Sequence, residues 1–211
     1  MRFAIRLFTF VLLPLTLVGC NRANIRVPGA SFPFPETTTG FKSASTIAAS
    51  IKIATPVDIR PDYYDKPIAG TTWTGCSTDG LWTTTASQLI QERLTKELHD
   101  SGLFAESDLV ENANPLILRT QIRAFCSQVV GAFIARIAGI TAISVSIERN
   151  GKVLFERQFE RVVTDDSPEY SGSQITFIEQ GMRAAMGDSL RLALKDLMKE
   201  IDANRSKFSS Q

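Results

Sequence analysis

Asn150-Gly151, set between two runs of alternating apolar residues, is the feature that most narrows what this chain can fold into. Both residues tolerate positive φ, which a two-residue type I′ turn demands at each of its central positions. Ile143, Val145 and Ile147 alternate before the pair, and Val153, Phe155 and Phe159 resume after it. An antiparallel hairpin with a dry face is therefore expected.

Other segments supply its neighbours. Leu116, Leu118, Ile122 and Ala124 share one strand parity between Pro115 and Cys126, while Arg119, Gln121 and Arg123 share the other. One face of that strand is dry and the other wet. Ile47, Ala49, Ile51 and Ile53 alternate in the same way before Pro56 and Pro61 punctuate the chain. Leu89, Ile90, Leu94 and Leu98 fall at helical spacing within Ser87 to Ser101, with Gly102 as the stop. A last, long helix is expected over Gln174 to Asp202, its stripe traced by Ile175, Ile178, Met182, Ala185, Ser189, Leu192 and Leu197. Together these predict an α+β domain: a mostly antiparallel sheet with two helices packed on one face, in the order strand-helix-strand-strand-strand-helix.

Two stretches resist this pattern. Val129 to Ile140 is nearly all apolar apart from Arg136 and is interrupted by Gly131 and Gly139. Periodicity leaves a strand, a helix and an apolar loop all open for it. Phe133 and Ile134 within it are either core residues or part of an exposed docking surface. The Gly-, Thr- and Ser-rich stretch after Asp62 reads as a long loop, and such loops often carry function. Its aromatics Tyr63, Tyr64, Trp73 and Trp82 are either a lid over the sheet or a partner-facing patch.

The amino terminus carries an address. Arg2 and Arg6 precede an apolar run from Leu7 to Val18, which leads into Leu17-Val18-Gly19-Cys20. That run is shorter than the roughly 20 residues a membrane span requires, and it fits a secretion signal. The four residues resemble the bacterial lipobox, which implies cleavage before Cys20 and attachment of lipid to its sulfur. Two or three acyl chains anchor a protein stably where one gives only marginal binding. The resemblance to enterobacterial lipoproteins, in which an aspartate after the cysteine marks inner-membrane retention, implies from Asn21 the periplasm-facing leaflet of the outer membrane.

The expected organisation is a signal peptide at 1–19, a Pro- and Thr-rich tether at 20–45, one domain at 46–203 and a frayed tail at 204–211. Removing Arg2 and Arg6 turns a formal charge of +1 into −1, which offers no broad electrostatic case for nucleic acid. The membrane contact is left to the anchor.

No catalytic constellation emerges. His99 is the only histidine and falls near a helix end, where the dipole favours it. Asp165, Asp166 and Glu169 follow the hairpin without the spacing of a calcium loop. Gly131 and Gly139 are too far apart for a phosphate-binding loop. No metal or cofactor is expected. Cys76 and Cys126 are candidates for one disulfide in an oxidising compartment. Closing a loop of about 50 residues would contribute roughly 4 kcal/mol.

The lipobox, the Ile47-to-Ile53 strand, the Leu89-to-Leu98 helix with its Ser-Gly stop, the Pro115-to-Cys126 strand, the Asn150-Gly151 hairpin and the long final helix resemble small periplasmic lipoproteins of the YajG type. They also resemble the auxiliary lipoproteins of ABC-type lipid transport systems. The segments around Cys76 and Ile134 depart from both patterns. The resemblance implies a membrane-anchored, non-enzymatic binding or accessory module with an envelope protein partner and lipid as a candidate ligand. The alternatives are a structural part of an envelope or secretion complex and, further off, a cell-envelope hydrolase.

Overall fold

The computed structural model describes residues 38–63, 66–68, 71, 75, 84–105, 114–130, 136–172 and 178–209. At its centre are three long antiparallel strands: β3 (Leu116–Val130), β4 (Arg136–Arg149) and β5 (Lys152–Thr164). Asn150 and Gly151 close the β4–β5 hairpin with φ of 52° and 76°, the positive values a type I′ turn needs. Two short strands, β1 (Ile51–Ile53) and β2 (Val57–Asp58), both pair in parallel with β3. The sheet order is β1-β3-β4-β5, with β2 also on β3.

A parallel pair needs a crossover, and helix α1 (Ala86–Ser101) supplies it. Thr85 caps its start through a reciprocal capping box with Gln88, and Gly102 ends it in a left-handed conformation at φ 66°. Its buried stripe, Leu89, Ile90, Leu94 and Leu98, joins Leu116, Leu118 and Ile122 of β3 in the main core. Helix α2 (Ile178–Ala203) covers the same face of β4 and β5. The α+β architecture, the antiparallel majority and the element order match the pattern expected from the sequence. No described helix is long and apolar enough to cross a membrane.

The α2 stripe is rotated from the expected one. Met182, Ala185, Met186, Ser189, Leu190, Ala193, Leu197 and Ile201 are buried, whereas Ile178 is exposed and Leu192 half-buried. Ile175 lies outside the described residues. Ser189 belongs to the stripe because its hydroxyl meets that of Thr141 on β4 at 2.8 Å, satisfying two buried polar groups at once. Gly139 permits that closeness: a Cβ there would stand 2.0 Å from the Ala185 carbonyl carbon.

A bulge in β3 overturns part of the expected face assignment. Pairing with β4 shifts between Ile122 and Ala124, so Arg123 is the extra residue. An inserted residue flips everything beyond it to the other face. Phe125 therefore joins the helix-side core, while Ala124 goes to the opposite side with Cys126. The apolar stretch from Val129 to Ile140 is strand wherever it is described, at the end of β3 and the start of β4. Ile137 and Ile140 are buried there.

Both expected ends of the domain are corrected. The tether does not run to residue 45, because the Thr39 amide and hydroxyl donate to buried Glu97 of α1 at 3.0 and 2.5 Å. Lys42 then donates to the Asp100 carbonyl at 2.6 Å, and the Ser43 hydroxyl to Asp202 of α2 at 2.8 Å. The tail is not frayed over 204–209. Arg205–Lys207 forms a 3-10 turn that delivers Phe208 into the core at 0% exposure, edge-on to Phe104 and Phe155. Residues 210 and 211 lie outside the described residues.

Candidate functional site

The helices pack on one face of the sheet, and the opposite face carries a different set of side chains. That face divides in two. Toward the β3–β4 connection, Ala124, Cys126, Ile140 and Ala142 form a small second core, capped by Ile68. Toward the β4–β5 turn the face is polar, with Arg119 and Gln121 of β3 and Glu156 and Gln158 of β5 exposed.

Ion pairs span this polar half. Arg119 Nε donates to Glu148 at 3.0 Å. The bulged Arg123 reaches across β4 to donate to Gln158 at 2.6 Å and Glu160 at 2.7 Å on β5. The side chains of Arg123 and Glu160 are only 17% and 15% exposed, so their charges are screened less than those of a surface pair. Tyr63 joins the cluster, its ring centroid 4.6 Å from the Arg123 guanidinium carbon and 4.5 Å from Lys66 Nζ. Both distances lie within cation–π range.

Arg60 holds the 3-10 turn Arg60–Tyr63 at this border. Almost fully buried, it forks onto both oxygens of Asp58 and donates to the Phe125 carbonyl at 3.2 Å. Burial alone would raise the Asp58 pKa, but the hydrogen bonds and charge of Arg60 outweigh it and hold the carboxyl below its usual range.

Of the residues singled out as a docking surface, only Tyr63 is described, and it lies against the sheet face as a lid residue would. Tyr64, Trp73, Trp82, Phe133 and Ile134 lie outside the described residues, as do Cys20 and Cys76. Cys126 is buried and disulfide-bonded. Gly75 lies over the same face, its amide donating to the Lys66 carbonyl at 2.9 Å, and a Cβ on it would stand 3.9 Å from that of Ala124. His99 is exposed beside Asp100 at the end of α1. Asp166 pairs with Arg136 at 2.5 Å, and among the described residues no three His, Cys, Asp or Glu side chains converge as metal ligands.

Two concavities escaped the sequence reading. One, about 330 Å³, runs between β5 and α2, where Arg157 pairs with Glu200 and Arg161 with Asp196. The other, about 470 Å³, is formed by the β4–β5 turn and the C-terminal turn. It joins residues more than 50 positions apart, and no local pattern announces it.

No protein-family model and no curated protein matches the sequence. Solved structures of similar shape include a Xanthomonas campestris protein of family DUF330, with a TM-score of 0.48 and 15% identity, covering 77% of this chain and 93% of that one. A hypothetical protein from Chlamydia trachomatis aligns with a TM-score of 0.45 at 6% identity, over 75% of this chain and 98% of its own. A minor lipoprotein from Acinetobacter baumannii aligns with a TM-score of 0.40 at 12% identity, over 58% of this chain and 89% of its own.

Proposed function

We propose that this chain is a lipoprotein of the bacterial envelope, anchored through Cys20, whose domain is a non-enzymatic accessory module that docks a protein partner on its helix-free sheet face. The observation that carries this reading is the division of that face. Its apolar half is sealed by Ile68, while its polar half is exposed and held in place by Arg119–Glu148 and Arg123–Glu160. Pre-positioned charges of both signs favour specific, oriented docking over general stickiness. They also hold charge in place: Glu148 and Glu160 are both committed to arginines, which suits recognition better than proton transfer.

Anchoring supports the same reading. Thr39, tied to Glu97 of α1, lies 19 positions beyond Cys20, so the two are at most about 65 Å apart at full extension. A module tethered so closely meets membrane-bound partners at high local concentration.

Photo-crosslinking side chains placed at Gln121 and Gln158 on the polar face, and at Glu92 and Thr95 on the outer side of α1, test this in cells. The same partner is expected from both face positions and from neither helix position. Equal capture from the two surfaces, or none from the face, would overturn the proposal.

A further inference from the structure

The 470 Å³ concavity beside the β4–β5 turn is lined by Arg149, Lys152 and Lys207, with Asn150, Ser206 and Ser209 between them, and among the described residues by no carboxylate. Most arginines on this domain are neutralised: Arg119, Arg123, Arg136, Arg157, Arg161, Arg191 and Arg205 all pair with acids. The three cations of the concavity form no ion pair among the described residues. Arg149 is nevertheless fixed, because its terminal nitrogen donates to the Phe208 carbonyl at 2.5 Å. Its Nε–H is buried with no hydrogen-bond partner, an unmade bond of the kind a bound anion would satisfy.

The position of this concavity matters as much as its charge. Arg205 binds the hydroxyl of Ser43 at 2.9 Å and the carbonyl of Ser45 at 3.2 Å. Ser43 and Ser45, which follow the attachment of Thr39 to Glu97, therefore lie beside the same turn that supplies Ser206 and Lys207.

We propose that this pole binds a phosphate-bearing anion, either the headgroup of an anionic phospholipid or free phosphate. Arg149 Nε–H and the ammonium groups of Lys152 and Lys207 are the donors. The membrane as source of the anion rests on the anchoring reading; the anion chemistry does not. The test is a titration of the ¹⁵N-labelled full chain in neutral detergent with inorganic phosphate, dihexanoyl-phosphatidylglycerol and dihexanoyl-phosphatidylcholine. Signals from Arg149 Nε–H and from the amides of Asn150, Lys152 and Lys207 are followed.

Saturable shifts confined to these groups are expected with an anionic probe. Each cation near a charged headgroup is worth about fivefold in affinity, so Lys152→Gln with Lys207→Gln should weaken binding about 25-fold. Both lysines are exposed, so the double variant keeps the fold. Adding Arg149→Gln should take the loss to about 100-fold. A response to phosphatidylglycerol alone supports the proposal with a lipid as the source, and an equal response to inorganic phosphate supports it with free phosphate. Silence toward both, or an equal response to phosphatidylcholine, overturns it. Intact mass of the same sample reports the anchor separately, so failure of one does not mimic failure of the other.

Discussion

Replacing Phe208 by alanine tests whether the C-terminal turn is part of the core. Phe208 is fully buried, and its ring stands edge-on to Phe104 at 6.3 Å and to Phe155 at 6.1 Å. Truncating a buried phenylalanine costs about 3–5 kcal/mol, from lost transfer free energy and the cavity left behind. Edge-to-face pairs add to this, about 0.5–1.5 kcal/mol each. A terminal turn can peel away instead of holding a cavity open, which caps the loss toward the lower figure. A cost of about 3 kcal/mol in a domain of this size should lower Tm by about 6–12 °C. Differential scanning calorimetry of wild type and Phe208→Ala measures it, with Ser209→Ala as an exposed neighbour expected to change nothing. A drop below about 2 °C would mean that the turn contributes little and that Phe208 is not held between those rings.

Gly139→Ala should be among the most damaging small substitutions, because its Cβ would fall 2.0–2.3 Å from the backbone of Ala185 and Met186. Overpacking costs about 1–3 kcal/mol and more where backbone must move, so a Tm loss of several degrees in a thermal melt is expected, and an unchanged Tm would place α2 farther from β4. Asp202 gives a pH-dependent test. Its hydrogen bond from Arg205, aided by Ser43, outweighs slight desolvation and holds its pKa below the usual carboxylate value. A carboxyl depressed on folding contributes stability above the unfolded pKa of about 3.9, and that contribution is lost as pH falls through the lower, folded value. The Tm difference between wild type and Asp202→Asn should therefore be present at pH 6 and close toward pH 2; a difference independent of pH would argue against the Asp202–Arg205–Ser43 link.

How much of this could be read from sequence depended on whether the determinant was local. The β4–β5 hairpin was legible because Asn150 and Gly151 specify their own turn. Helix α1 was legible because four apolar residues and Gly102 suffice to mark it. The bulge at Arg123 was not, since it is decided by pairing with Ile143 and Ala142 on another strand. Alternation alone therefore put Ala124 on the wrong face. Phe208 looked like part of a polar tail because Phe104 and Phe155, which bury it, lie far away in the chain. Thr39 looked like tether because Glu97, its partner, is a buried acid within a helix that periodicity treats as solvent-facing. The cationic pole required Lys207 to meet Arg149 and Lys152, and the expectation of a frayed tail concealed that meeting.

The proposed role of the domain depends on its being held at a membrane by Cys20. Mass spectrometry of the chain isolated from cell membranes tests this most directly. The account predicts a mature protein beginning at Cys20, its sulfur carrying a diacylglyceryl group and its amine acylated. A chain that retains Met1, or one whose Cys20 is unmodified, would contradict it.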